Sequence, residues 1–386
     1  MQPIYLDYNA TTPTDPAVVE ELLPYLSEVF GNPSSSHPYG KKAGEAVELA
    51  RTRVAALLGC DSAQVIFTSG GTESNNQALI GAAFANRDRG KHIITTTIEH
   101  PAVLKPLQWL EGQGFTVTFV PVDGAGRLDP QTVRRAVTGE TVLISVMHAN
   151  NEVGTIQPLA EIGAIAREKG IIFHTDAAQS VGKVPTRVDD LRVDLLTVAG
   201  HKLYAPKGIG ALFIQSGTKI NTFMHGAGQE GGRRAGTENV PYIAALGKAA
   251  ELAAERLAAD GARILSLREH FHKRLRDLAD GVMLNGHPTE RLPNTLNVSF
   301  PGVVGADLLA QTPEIAASTG SACHEGSGEL SGVLKAMGTS REQGFSAVRL
   351  SLGRFTTVEQ IDRAAEVLAA KIRELRAARN SSDKPA

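Results

Sequence analysis

The spacing of apolar positions changes character along the chain. Over residues 41–58, Ala43, Val47, Ala50, Val54 and Leu57 recur three or four apart and Gly59 closes the run. That pattern predicts an amphipathic helix and its stop. Short β-type runs follow at Val65–Thr68, His92–Thr97, Thr116–Val122, Val142–His148, Ile171–Thr175, Leu195–Ala199 and Gly210–Ile214. Most are apolar at consecutive positions, as strands buried between two helical layers are. Helical stretches at 72–86, 101–113, 130–137 and 158–169 separate most of them. The alternation predicts one doubly covered, mostly parallel sheet of seven strands spanning about 60–214. Only a link containing Gly and Pro joins the last two runs, so one of that pair is expected to be antiparallel.

Residues 217–237 set Gly226, Gly228, Gly231, Gly232 and Gly236 among Arg233 and Arg234 and read as a loop ahead of a long helical pattern at 240–279. Beyond residue 280 the pattern resets. A strand at Thr295–Phe300, a Gly-rich segment at 319–332, a strand at Ala347–Leu352 and a helix at 357–378 predict a smaller α+β domain.

Composition narrows the function classes. The 386 residues are 42% hydrophobic and carry 39 basic against 41 acidic side chains, a net charge of −2. A disordered chain is excluded, and no basic excess exists to serve a general nucleic-acid or lipid-binding surface. Two cysteines, Cys60 and Cys323, cannot build a disulfide scaffold. No stretch reaches the roughly 20 apolar residues of a membrane span. The first residues lack a signal-peptide pattern. A soluble, cytoplasmic protein is expected.

Four segments carry candidate chemistry. Ser69-Gly70-Gly71-Thr72-Glu73 follows a strand and opens a helix, where free N–H groups and the helix dipole suit a phosphate. An ordinary strand-to-helix turn is the alternative; the pattern matches neither nucleotide fingerprint. Asp176 closes a buried strand, where ligands of α/β sheets bind and where a carboxylate needs a cationic or N–H partner; a helix cap is the alternative. His174 shares its strand face, so a metal is conceivable there, but no third ligand supports one. Lys202, after the run Leu195–Ala199, sits where burial would lower its pKa and make it a nucleophilic amine. Lys207 is the counterpart expected at the surface. Cys323 lies in a Gly- and Ser-rich loop and is expected to be exposed and mobile. His324 favours its thiolate and Glu325 opposes it.

Taken together, the segments resemble the cysteine desulfurases of the class V aminotransferase group, long-loop type. The resemblance runs from Tyr5-Leu6-Asp7-Tyr8-Asn9-Ala10-Thr11-Thr12-Pro13 through Gly31-Asn32-Pro33-Ser34, Thr68-Ser69-Gly70-Gly71-Thr72-Glu73-Ser74-Asn75, Glu99-His100 and Asn150-Asn151-Glu152-Val153-Gly154. It ends on Gly320-Ser321-Ala322-Cys323 and Arg349-Leu350-Ser351-Leu352-Gly353-Arg354. It implies the pyridoxal-phosphate-dependent transferase fold of type I, in three parts. These are an N-terminal segment 1–15 joining the small domain, a large cofactor-binding domain 16–255, and a small domain 256–386 bearing the cysteine loop.

The roles implied are specific. Lys202 resembles the lysine that forms the Schiff base with pyridoxal 5'-phosphate and moves the Cα proton. Asp176 would pair with the pyridinium nitrogen, His100 would stack on the ring and donate a proton, and Gln179 would contact the phenolic oxygen. Gly71, Thr72 and His201 would hold the phosphate, with Thr237 reaching in from the partner of a homodimer. Asn151, lining the cofactor site, and Arg349 would take the substrate carboxylate. Cys323 would accept sulfur from L-cysteine. No resident metal is implied, though Cys323 is a candidate transient ligand for a nascent cluster. The resemblance implies an acceptor or scaffold protein in iron–sulfur assembly, tRNA thiolation or DNA phosphorothioation, and no direct nucleic-acid binding. A selenocysteine lyase or a class V aminotransferase is the alternative. One departure concerns Ala199, where the family usually has serine; weaker cofactor retention or a compensating donor is expected.

Overall fold

The computed structural model describes residues 2–320 and 330–382. Its strands are β1 (Ile4–Tyr5), β2 (Val65–Thr68), β3 (His92–Thr96), β4 (Thr116–Val120), β5 (Thr141–Ser145), β6 (Ile172–Asp176), β7 (Leu195–Ala199), β8 (Gly210–Ile214), β9 (Met283–Asn285), β10 (Thr295–Ser299), β11 (Ile315–Ala316) and β12 (Ala347–Ser351). The helices that matter here are α1 (Pro38–Leu58), α2 (Gly71–Ala85), α3 (Pro101–Gly112), α4 (Pro130–Ala136), α5 (Leu159–Lys169), α6 (Val240–Leu278) and α7 (Val358–Ser382).

Seven strands form one sheet in the order β2-β8-β7-β6-β5-β3-β4. β8 pairs antiparallel with both β2 and β7, and all other pairings are parallel. The antiparallel member of the last pair is thus β8. Successive side chains of the central strands enter opposite cores, which is why their sequences do not alternate. Leu195, Leu212 and Ile214 pack with Ala78, Leu79, Val103 and Leu107 of α2 and α3. Leu196, Val198 and Phe213 pack on the other face with α1, α5 and the first half of α6. β4 is the exception: it lies at the sheet edge and is largely exposed.

Helix α6 runs for 39 residues, capped at its start by the Asn239 side chain. Its first half belongs to the sheet core, whereas Ile264, Leu267, Phe271 and Leu275 enter a second core. That second core holds the antiparallel sheet β12-β10-β9, α7 and, from the N-terminal segment, Leu6. β1 pairs parallel with β11. No helix among the described residues is long and apolar enough to cross a membrane.

Candidate active site

The carboxyl ends of the parallel strands, and of β2, open on one edge of the sheet. There a chamber of about 280 Å³ is lined by side chains from seven segments of the chain. Gly71, Thr72 and Asn75 come from α2, His100 from the start of α3, Asn151 from beyond β5, and Asp176 and Gln179 from the end of β6. Ala199, His201 and Lys202 come from the turn between β7 and β8, and Arg349 from β12 of the second core. Nine of the eleven side chains singled out in the sequence meet here. Thr237 is exposed and does not line this chamber. Cys323 lies outside the described residues.

Asp176 is nearly buried yet paired: Asn75 donates to one oxygen at 2.7 Å and the Ala178 N–H to the other at 3.0 Å. The capping bond expected as the alternative is therefore present beside the exposed-to-chamber role. Asn75 lies one helical turn after Thr72, on the same face of α2, so one helix turn supplies both. The Lys202 amine donates to the backbone oxygen of Asn9. Burial, and then the nearby Arg349, bring its pKa down to about 8, against the pull of Asp176 and Asp7. His100 caps α3: its Nδ1 accepts from the Ala102 N–H at 3.1 Å, which leaves Nε2 as the hydrogen-bearing nitrogen of the neutral ring. Burial lowers the His100 pKa, and burial with Lys202, Lys207 and Lys183 lowers that of His201 to about 4.

Arg349, 2% exposed, gives one nitrogen to the Asn151 carbonyl at 3.1 Å and another to Asp7 at 2.8 Å. Its backbone pairs with Ser318, whose carbonyl accepts from the Arg349 N–H at 2.7 Å. Glu99 is buried under the site, holds the Met147 N–H and accepts from Thr96, and burial raises its pKa to about 8. His174, set aside as a metal ligand, is fully buried between Ser145 and Thr197, and no metal-binding cluster occurs among the described residues.

Sequence reading assigned no role to Asn9, which is 1% exposed and lies at the centre of the site. Its N–H donates to Ser351 and its amide to Thr295, both at 2.9 Å, while its carbonyl accepts from Gln179 and Lys202. Its partners lie between 142 and 342 positions away, so no local pattern could mark it.

Similarity to known proteins follows this geometry. The profile described as "Aminotransferase class-V" matches residues 4–364. The chain belongs to the class V aminotransferase family. Among class V relatives, a cysteine desulfurase IscS of Methanosarcina thermophila is 51% identical over 97% of this chain and 93% of the relative. A solved NifS-like protein superposes with a TM-score of 0.89 at 38% identity, covering 97% of this chain and all of the other. A structure titled SspA in complex with cysteine gives 0.81 at 37% identity, covering 92% and 99%.

The class V cofactor is pyridoxal 5'-phosphate, and the residues present fit it. The start of α2 has no side-chain cap, since its Ncap is Gly70, so its first N–H groups are open to a phosphate. Within the site's buried polar network, Asn75 Oδ1 and Arg349 Nε have no hydrogen-bond partner among the described residues. Asp176 supplies an anion for a ring cation and Lys202 an amine of lowered basicity. At Ala199 the chamber presents a methyl group, and a Cβ on Gly71 would sit 3.2 Å from it.

Proposed function

We propose that this chain is a cytoplasmic, homodimeric cysteine desulfurase that takes sulfur from L-cysteine, leaves L-alanine and carries the sulfur as a persulfide on Cys323. The observation that carries this reading is the double use of Arg349. Its side chain lines the chamber that holds Lys202 and Asp176, and its backbone pairs with Ser318, five residues before Cys323. Five residues of chain span at most about 18 Å, which in this reading is short enough for the Cys323 thiol to reach the chamber.

Bound pyridoxal phosphate supplies an electron sink for the pair left when the substrate Cα loses its proton. Asp176, held by Asn75 and the Ala178 N–H, would pair with the ring nitrogen and favour its protonated form. Lys202 takes and returns the Cα proton; its lowered basicity makes the neutral base available near neutral pH. Thr72, His201 and the first N–H groups of α2 hold the phosphate, and Thr237 of the partner subunit completes that cradle, which accords with its exposure here. The Arg349 guanidinium takes the substrate carboxylate, with Asn151 beside it. The Cys323 thiolate attacks the substrate sulfur: an S–S bond forms, the Cβ–S bond breaks, and Cβ gains a proton to become the methyl of alanine. His100, a hydrogen-bearing ring in the chamber, is placed to donate a proton. The persulfide passes to an acceptor or scaffold protein. We assign residues 16–255 to the cofactor domain and 1–15 with 256–386 to the small one.

The purified protein should form alanine and, with a reductant, sulfide in equal amounts from cysteine without a keto acid. Cys323→Ala should retain the cofactor yet show no persulfide by mass spectrometry and lose at least about 100-fold in sulfide formation. Sulfide release by that variant at the unmodified rate removes the thiol from the reaction. Turnover that requires a keto acid makes the protein an aminotransferase instead.

A further inference from the structure

A second lysine reaches the site from below. Lys183 stands four residues after Gln179 in the turns that follow β6, and its amine lies 2.9 Å from Gln179 Oε1 and 3.4 Å from Asn9 Oδ1. A lysine ammonium carries donors and no acceptor. The Gln179 amide must therefore turn its oxygen toward Lys183 and its NH2 the other way. One of those hydrogens goes to the Asn9 carbonyl at 2.9 Å. The second has no protein partner among the described residues, and Gln179 lines the chamber beside Lys202. The Asn9 amide is turned in the same sense, because Asn294 also donates to its oxygen, at 2.9 Å.

We propose that Lys183 is a positioning residue that fixes the polarity of the Gln179 amide, so that the chamber receives an N–H donor and never a carbonyl. The inference rests on the reading of Gln179 as the partner of the cofactor's phenolic oxygen. A donor stabilises that oxygen as an anion; an acceptor repels it. Holding an amine here is unfavourable: burial and the neighbouring Lys202 and Arg349 push the Lys183 pKa well below its usual range. A methionine would fill the same space without that penalty, so packing alone does not account for the lysine. The other ionisable groups around Lys202 are Asp176, Asp7, Arg349, His100 and His201.

The test reads the visible band of the Lys202-bound cofactor as pH is varied, with no substrate present. In Lys183→Met the Gln179 oxygen loses its donor and the amide turns. The phenolic oxygen then holds the shared proton more tightly, and loss of a nearby positive charge acts in the same direction. The titration midpoint should rise by about 0.5–1 pH unit, the worth of one ordinary hydrogen bond. Lys183→Arg keeps the donors and should hold the midpoint within about 0.2 unit. Lys183→Gln, the fallback if the methionine variant does not fold, should give a smaller rise. Gln179→Leu should raise the midpoint alone and reduce the effect of Lys183→Met when combined with it. If Gln179→Leu moves the midpoint and neither Lys183→Met nor Lys183→Gln does, Lys183 has no such role while Gln179 keeps its own. If none moves it, the reading of Gln179 falls and takes the inference with it.

Discussion

Burial holds the Lys202 pKa at about 8, against a reference value of 10.5. At pH 7.5 about one quarter of the amine is then neutral, against about one part in a thousand for a solvated lysine. Only the neutral form attacks an aldehyde, so its population sets the capture rate. Cofactor-free protein should bind added pyridoxal phosphate covalently at a rate that climbs with pH and levels off above about 8. Stopped-flow absorbance measures this, and Lys202→Ala gives the non-covalent baseline. A rate still climbing steeply at pH 10 would mean that the amine is solvated and the burial argument is void. Lys202, Asp176 and Thr72, which line the chamber, are legible in the sequence as candidates because each sits at or just after the end of a strand. Asn9 and Lys183 are not, because their roles arise only when distant segments meet.

Among the elements, strands buried on both faces announced themselves as unbroken apolar runs, and β2, β7 and β8 span the predicted residues. β1 and β11, two residues each, and β9, three, are too short to show a period of two and owe their pairing to tertiary context. Helix crossings were also hidden, because contact between backbones leaves no apolar signature. Where α6 meets α1, a Cβ on Gly247 would lie 2.5 Å from the Ala50 Cα and 2.6 Å from its Cβ. Backbone cannot yield as a flexible side chain does. Gly247→Ala should therefore cost about 1–3 kcal/mol, seen as a lower urea midpoint by circular dichroism. An unchanged midpoint would show that the two helices separate freely.

For the molecule as a whole, the N-terminal segment ties the two cores together at the catalytic turn. The Thr12 N–H donates to the His201 carbonyl, the Tyr204 N–H to the Thr12 hydroxyl, and Arg354 bridges Asp15 and Asp260. Tyr204 takes a left-handed backbone, φ 64°, two residues after the lysine and donates no slack to that turn. Acid should loosen this assembly through its buried histidines. Burial lowers the pKa of both His148 and His174 to about 4, from 6.5. As pH falls below 6.5 the unfolded chain takes up protons that the folded chain refuses, so stability is lost between about 6.5 and 4 and is fully present above that window. Each histidine contributes on the order of 3 kcal/mol to the loss. Thermal unfolding across pH 4–7 should show the decline, and His174→Gln should flatten part of it; a flat profile for the unmodified protein would refute the account.

One strand residue serves two ends with two different parts of itself. The guanidinium of Arg349 faces the chamber, while its main chain holds Ser318 and with it the approach to Cys323. Exchanging the side chain leaves the tether's mooring intact, and disturbing the mooring leaves the guanidinium's chemistry intact. A side-chain exchange at Arg349 thus empties the chamber of its guanidinium while the main-chain pairing with Ser318 stays in place.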